Sequence, residues 1–417
     1  MEYNFESDIK FLTGDKALRK SINEINNIGC RRIMLICNDI TERVGQLSDM
    51  LHQFNKELNI VSSYKRVGEI ATVNDCEKVL REYKSEDCDS ILVVGRKSAV
   101  AVAKAVKIML KDDISFMSNY RTCSVNNISS IRIPLIVVPT NLASGTEASN
   151  FVRVYDTDNN QIFEFNTPFA QTNLIVLDPI MTDTMPPRVF AASGLYSLAM
   201  AVLSLSKTKD VRPLAKVYAV TAINLLTENL KKAILQNAAR QYRFKLLLAT
   251  VLAGYAYWQT PKDILSELAD TISDRYRISY RNIFCILFLR YVNKHHWPKD
   301  FDMNALITLI GDNDYLAVSE NTKKDNQNSK TQSSDNTEIN CEKEEDKKDE
   351  NKNVIRDSVN GYYARTKKYV NYIDRLRDLG VKQSDFTDIA SSVISMHKED
   401  KEEYTYSFIT ELLEESF

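Results

Sequence analysis

Three short runs early in the chain, Arg32-Ile-Met-Leu-Ile-Cys37, Ser90-Ile-Leu-Val-Val94 and Ile133-Pro-Leu-Ile-Val-Val138, are apolar almost without interruption. A strand with one wet face alternates apolar and polar side chains; a strand covered on both faces does not. Each run adjoins a stretch of helical periodicity: Ile22 to Ile28 closing at Gly29, Asp75 to Tyr83, or Ala99 to Leu110. This βαβ rhythm predicts an α/β domain over residues 1–185, a doubly wound parallel sheet of the nucleotide-binding type. Such sheets take ligands at the carboxyl ends of their strands.

The pattern changes at Pro186-Pro187, where a proline suits a first helical turn because no amide donor is lost there. Long helical runs follow: Arg188 to Ser206, Leu214 to Glu228, Ala238 to Trp258, Lys262 to Asp274 and Arg281 to Asn293. They predict an all-α helical domain over residues 186–417. From about Asn321 to Asn353 the chain is almost wholly polar and charged, with Ile339 and Cys341 the exceptions. Such a segment buries too little apolar surface to offset the entropy of ordering, so it is expected to be a disordered insertion. Helical periodicity resumes over Tyr362 to Leu379 and Tyr404 to Phe417.

A net charge of −2 over 417 residues gives no reason to expect nucleic acid or an anionic membrane as partner. No apolar run is read as approaching the roughly 18–20 residues that span a bilayer. The amino terminus lacks the basic and apolar regions of a secretory signal. The seven cysteines are scattered and form no CxxC pair, so neither a disulfide framework nor a zinc ribbon is suggested. A reduced, cytoplasmic setting is expected.

Several motifs bear on chemistry. Val94-Gly-Arg-Lys-Ser-Ala-Val-Ala-Val-Ala-Lys-Ala105 follows a strand and opens a helix, the place where backbone amides approach a pyrophosphate. Val138-Pro-Thr-Asn-Leu-Ala-Ser-Gly-Thr-Glu-Ala148 is a second loop of small and hydroxyl residues. Further on come Thr172-Asn-Leu-Ile-Val-Leu-Asp-Pro179, Met185-Pro-Pro-Arg188, Ala192-Ser-Gly-Leu-Tyr-Ser-Leu-Ala-Met200 and Leu252-Ala-Gly-Tyr-Ala-Tyr257. Together these resemble the iron-containing alcohol dehydrogenases, whose fold is that of the dehydroquinate synthase-like and glycerol dehydrogenase-like proteins. The resemblance covers nearly the whole chain apart from the insertion.

The resemblance implies an NAD(P) site made by Asn38, Gly95, Ser98, Lys104, Thr140, Ser144, Gly145 and Glu147. It also shows where this chain departs from the pattern. Arg96 and Lys97 replace the second and third glycines of the phosphate loop, Ala101 an aspartate, and Asn38 the aspartate near the adenosine ribose. Bulky side chains at 96 and 97 are expected to fill the phosphate site and exclude the cofactor, although they could instead bind phosphate through their charge.

In the family a divalent iron or zinc ion, held by an aspartate and histidines, polarises the substrate oxygen while nicotinamide carries hydride. The corresponding positions here read Tyr196, Met200, Asp270 and Tyr280. No histidine lies between His52 and His295; His295 and His296 are read as surface residues, and His52 and His397 lie in unrelated, charged helical stretches. Iron or zinc is therefore not expected, and no catalytic residue is assigned.

By descent the chain reads as an NAD(P)-dependent alcohol or aldehyde oxidoreductase that has lost its metal site, kept for a structural, regulatory or partner-binding role. Two alternatives stay open at this level. One is an active NAD(P)-dependent oxidoreductase working through an altered, metal-independent site, with Tyr196, Asp270 or Tyr280 in proton transfer. The other is a non-catalytic nucleotide sensor. The resemblance implies a homo-oligomer, or a hetero-oligomer with a related chain.

Overall fold

The computed structural model describes residues 9–43, 46–111, 133–142, 144–206, 213–235, 240–258, 260, 263–294, 310, 357–368, 370, 373–396 and 405–417. The predicted insertion at 321–353, Cys123, Cys341 and the histidines at 295, 296 and 397 lie outside them.

A six-stranded parallel sheet is built from β1 (Lys10–Thr13), β2 (Ile33–Asn38), β3 (Ile60–Val67), β4 (Ser90–Gly95), β5 (Leu135–Pro139) and β8 (Leu174–Leu177). Its order is β1-β8-β5-β4-β2-β3. The runs read as strands form β2, β4 and β5, and every residue of these three is buried. Alternate side chains of β2 enter opposite cores. Met34 and Ile36 pack with α4 (Val73–Ser85) and α5 (Lys97–Lys111), while Ile33, Leu35 and Cys37 pack with α1 (Ala17–Ile28) and α3 (Gln46–Glu57), which the short α2 (Asp39–Arg43) precedes. Cover on both faces is what removes polar residues from these strands. The edge strands β1 and β3 keep partly exposed positions and were not read from the sequence.

An antiparallel hairpin, β6 (Phe151–Asp156) and β7 (Gln161–Asn166), lies outside the main sheet and was also missed. The Asp156 carboxylate closes its turn by accepting from the amides of Asp158 and Asn159 at 3.0 and 3.1 Å. The hairpin brings Arg153 to the site described below.

The second half is an α-helical bundle, beginning with α6 (Pro187–Ser206), α7 (Pro213–Leu235), α8 (Arg240–Trp258), α9 (Ile264–Tyr276) and α10 (Tyr280–Lys294). Helices over 357–367, Phe386–Met396 and Tyr406–Ser416 complete it. Val251 and Tyr255 of α8 pack on Ile175 and Leu177 of β8, which joins the bundle to the sheet.

Three readings need correction. The helix expected over Tyr362 to Leu379 stops at residue 367, and Arg377–Leu379 is a separate short turn. The helix Phe386–Met396 was not foreseen. Finally, α6 is long and apolar enough to cross a membrane by length and composition. Of its most apolar window 89% is buried in the protein, so its all-round apolarity reflects a core position.

Candidate active-site cleft

In an open parallel sheet, ligands bind where neighbouring strands are entered from opposite directions of the chain order. That point lies between β2 and β4, with β3 on one side and β5, β8 and β1 on the other. Asn38, at the end of β2, ties this junction shut. Its Nδ2 donates to the carbonyls of Val67 and Gly68, both at 3.1 Å, and to Ser98 Oγ at 2.8 Å. Its Oδ1 accepts from the Arg96 amide at 2.7 Å, and Ser98 Oγ donates to the Gly68 carbonyl at 2.6 Å. A Cβ on Gly95 would lie 2.6 Å from Asn38 Oδ1 and 2.9 Å from Ala99 Cβ. Asn38, Gly95 and Ser98 are thus brought together, and they serve one another. The Asn38 amide in particular is matched to two carbonyls, a task an aspartate cannot perform.

The second loop is anchored from below. The fully buried Lys104 ammonium donates to the Thr146 and Ser149 carbonyls. Burial lowers its pKa to about 7, against the opposing pull of Glu147. Glu147 is itself buried; its Oε1 accepts from the Ser144 amide at 3.2 Å and the Ser144 hydroxyl at 3.1 Å, and its Oε2 has no partner. The Thr140 amide donates to the Gly95 carbonyl at 3.2 Å, joining this loop to the end of β4. Gly145, at a φ of 77°, crosses Gly254 of α8 so closely that a Cβ on Gly145 would stand 2.1 Å from the Gly254 Cα.

The four positions aligned with metal ligands fall among α6, α9 and α10. Met200 is fully buried in the bundle core. Tyr196 is 2% exposed and meets Tyr280 edge-on at 6.0 Å between centroids and Phe284 at 5.2 Å. Burial raises the Tyr196 and Tyr280 phenol pKa values well above the usual range. Asp270 already faces cations: Lys97 Nζ lies 3.4 Å and Arg153 Nε 3.8 Å from its Oδ1. The Lys97 ammonium also sits 3.4 Å above the Tyr280 ring centroid. Arg153 in turn bonds Asp274, with Nη2 at 2.6 Å from Oδ2, and pairs with Glu164.

These residues do not fit a divalent metal. Two protonated phenols, a thioether and a carboxylate already held by two cations offer no charged ligand set. Among the described residues, no group of three or more His, Cys, Asp or Glu side chains is placed to hold a metal ion.

Two small cavities remain, of about 60 and 40 Å³. Glu69, Lys97, Ser98 and Tyr280 line both, so the Lys97–Tyr280 contact stands between them. Arg96, Ser144, Tyr196 and Arg281 complete the first with neighbouring polar groups; Arg153, Asp270 and Asp274 belong to the second. Pockets that enclose a drug-sized ligand run to roughly 300–1,000 Å³, well above the volume of either cavity. Arg96 bonds Glu69 at 2.8 Å, while Lys97 turns toward Asp270. Arg153, Arg281 and Glu69 were not identified from the sequence. Their importance lies in pairings across 27 to 121 residues, which spacing does not reveal.

Residues 9–179 match the family model described as iron-containing alcohol dehydrogenase. The chain is 24% identical over 277 residues to long-chain-alcohol dehydrogenase 1 of Geobacillus thermodenitrificans strain NG80-2, covering 66% of this chain and 69% of that one. It is 26% identical over 274 residues to choline dehydrogenase of Bacillus subtilis strain 168, covering 65% and 67%. Among solved structures, 1,3-propanediol oxidoreductase superposes with a TM-score of 0.79 at 18% identity, over 98% of this chain and 97% of that one. The alcohol dehydrogenase from Oenococcus oeni gives the same TM-score and identity over 98% of each chain.

Proposed function

We propose that this chain, which belongs to the iron-containing alcohol dehydrogenase family, does not carry out that family's metal-dependent hydride transfer. It descends from NAD(P)-dependent oxidoreductases and keeps their sheet and bundle, while the residues of the cleft have taken up other partners. Its role is structural, regulatory or partner-binding. The observation that carries this reading is Lys97, a residue in the phosphate loop whose ammonium reaches Asp270 and Tyr280. One side chain thereby obstructs the phosphate loop and places a positive charge beside two of the aligned metal positions. The inward hydrogen bonds of Asn38 and Ser98 support the same reading for the cofactor.

The test is a fluorescence titration of purified protein with NADH and NADPH, with and without iron(II) or zinc, followed by turnover assays on alcohols and aldehydes. The expected result is no saturable cofactor binding below about 1 mM and no metal-dependent turnover. Micromolar binding without turnover would favour a nucleotide sensor. Turnover would restore the oxidoreductase reading. Sedimentation of the same sample tests the assembly with a second copy that the family resemblance suggests. The described cysteines, Cys30, Cys37, Cys76, Cys88 and Cys285, are buried free thiols, which supports a reducing, cytoplasmic setting.

A further inference from the structure

In the larger of the two cavities Arg96 pairs with Glu69 and Lys97 with Asp270, which leaves the Arg281 charge in excess. Arg96, Lys97 and Arg281 line this cavity, with Glu69 the one acidic residue among the lining side chains. Arg96 and Lys97 stand at the amino end of α5, a helix of 15 residues whose dipole adds positive potential there. Burial lowers the Arg281 pKa, and the neighbouring Arg96 charge lowers it further. The Arg281 guanidinium is held in place by a hydrogen bond from Nη1 to Ser193 Oγ.

A second, independent observation points to a ligand. Tyr196 lines the same cavity, is 2% exposed, and its hydroxyl has no hydrogen-bond partner. A buried phenol without a partner costs free energy that an acceptor in the cavity would recover. Its pKa, raised by burial, keeps it a donor at any ordinary pH. Ser98, Ser144 and Ser279 add hydroxyls to the wall.

We propose that this cavity is a binding site for a small free oxyanion, of the phosphate or dicarboxylate type, held by Arg281, Arg96 and Lys97 and hydrogen-bonded by the Tyr196 hydroxyl. The site goes beyond the loss of metal chemistry, because it gives the altered cleft a ligand of its own. Its volume of about 60 Å³ suits an anion of a few heavy atoms and leaves no room for a nucleoside.

Isothermal titration of the full chain with inorganic phosphate, oxalate and AMP, at constant ionic strength, tests the proposal. Phosphate or oxalate is expected to bind saturably at a single site per chain, with AMP no tighter than phosphate. Tyr196→Phe removes only the hydroxyl and should weaken that binding about tenfold. Arg281→Gln should abolish it. If Arg281→Gln fails to fold, Tyr196→Phe alone decides. The proposal is overturned if neither anion saturates below about 10 mM, if Tyr196→Phe binds as the wild type does, or if AMP binds much more tightly than phosphate. Metal-dependent turnover would remove the functional reading above without altering this titration, so the two fail separately.

Discussion

Gly145 and Gly254, 109 residues apart, cross backbone against backbone: a Cβ built on Gly254 would lie 2.0 Å from the Gly145 Cα. The contact locks the loop after β5 to the last turns of α8, and so fixes the sheet's ligand-facing edge against the helical bundle.

Gly254→Ala therefore has nowhere to put its methyl group except by separating α8 from the loop. Overpacking of this kind costs about 1–3 kcal/mol or more, and urea denaturation should show a loss in that range. A loss near zero would mean that the two backbones part easily and do not hold the cleft.

Asn38→Asp tests whether position 38 serves the fold. A carboxylate there cannot donate to the Val67 and Gly68 carbonyls and would turn its charge toward them. Leaving such buried groups unpaired costs about 1–3 kcal/mol each, so a drop of about 2–4 kcal/mol in unfolding free energy is expected. An unchanged or raised stability would show that the amide bonds are dispensable.

Lys104 gives a pH signature. Its pKa is about 7 in the folded chain and close to the ordinary lysine value of 10.5 when unfolded. Between these values the unfolded state binds more protons, so this group's contribution to stability rises with pH from about 7 toward 10.5. Below about 7 both states are protonated and the folded state bears the full burial cost. The slope is at most about 1.4 kcal/mol per pH unit. Unfolding free energies at pH 7, 8 and 9 should climb less steeply in Lys104→Met than in the wild type. Parallel curves would refute the assignment.

Tyr196→Phe should stabilise the protein in the absence of added anion by about 1 kcal/mol, because it removes a buried hydroxyl that has no partner. Thermal unfolding in a chloride buffer measures this. A clear destabilisation would reveal a hydrogen bond that the hydroxyl makes in solution.

Some of this was legible from residues alone. The uninterrupted apolar runs of β2, β4 and β5 identified buried parallel strands, since a strand covered on both faces cannot alternate. The change at Pro186-Pro187 marked the onset of helices, and Pro187 is the first residue of α6. The edge strand β3, Ile60–Val67, escaped notice because its partly exposed positions admit Ser62, Ser63, Lys65 and Arg66. The β6–β7 hairpin escaped for a similar reason, being short and half polar.

The sequence by itself determined the buried strands β2, β4 and β5, the change to helices at Pro187 and the identity of the side chains at the aligned metal positions, because these depend on residue type and spacing. It left open what Arg96 and Lys97 do in the phosphate loop. Only the tertiary structure decided that, sending Arg96 to Glu69 and Lys97 to Asp270 and Tyr280. The same holds for Arg153, which meets Asp274 from 121 residues away. A charge takes the nearest partner that desolvation leaves it, and that partner is set by how the sheet, hairpin and bundle pack, not by neighbours along the chain.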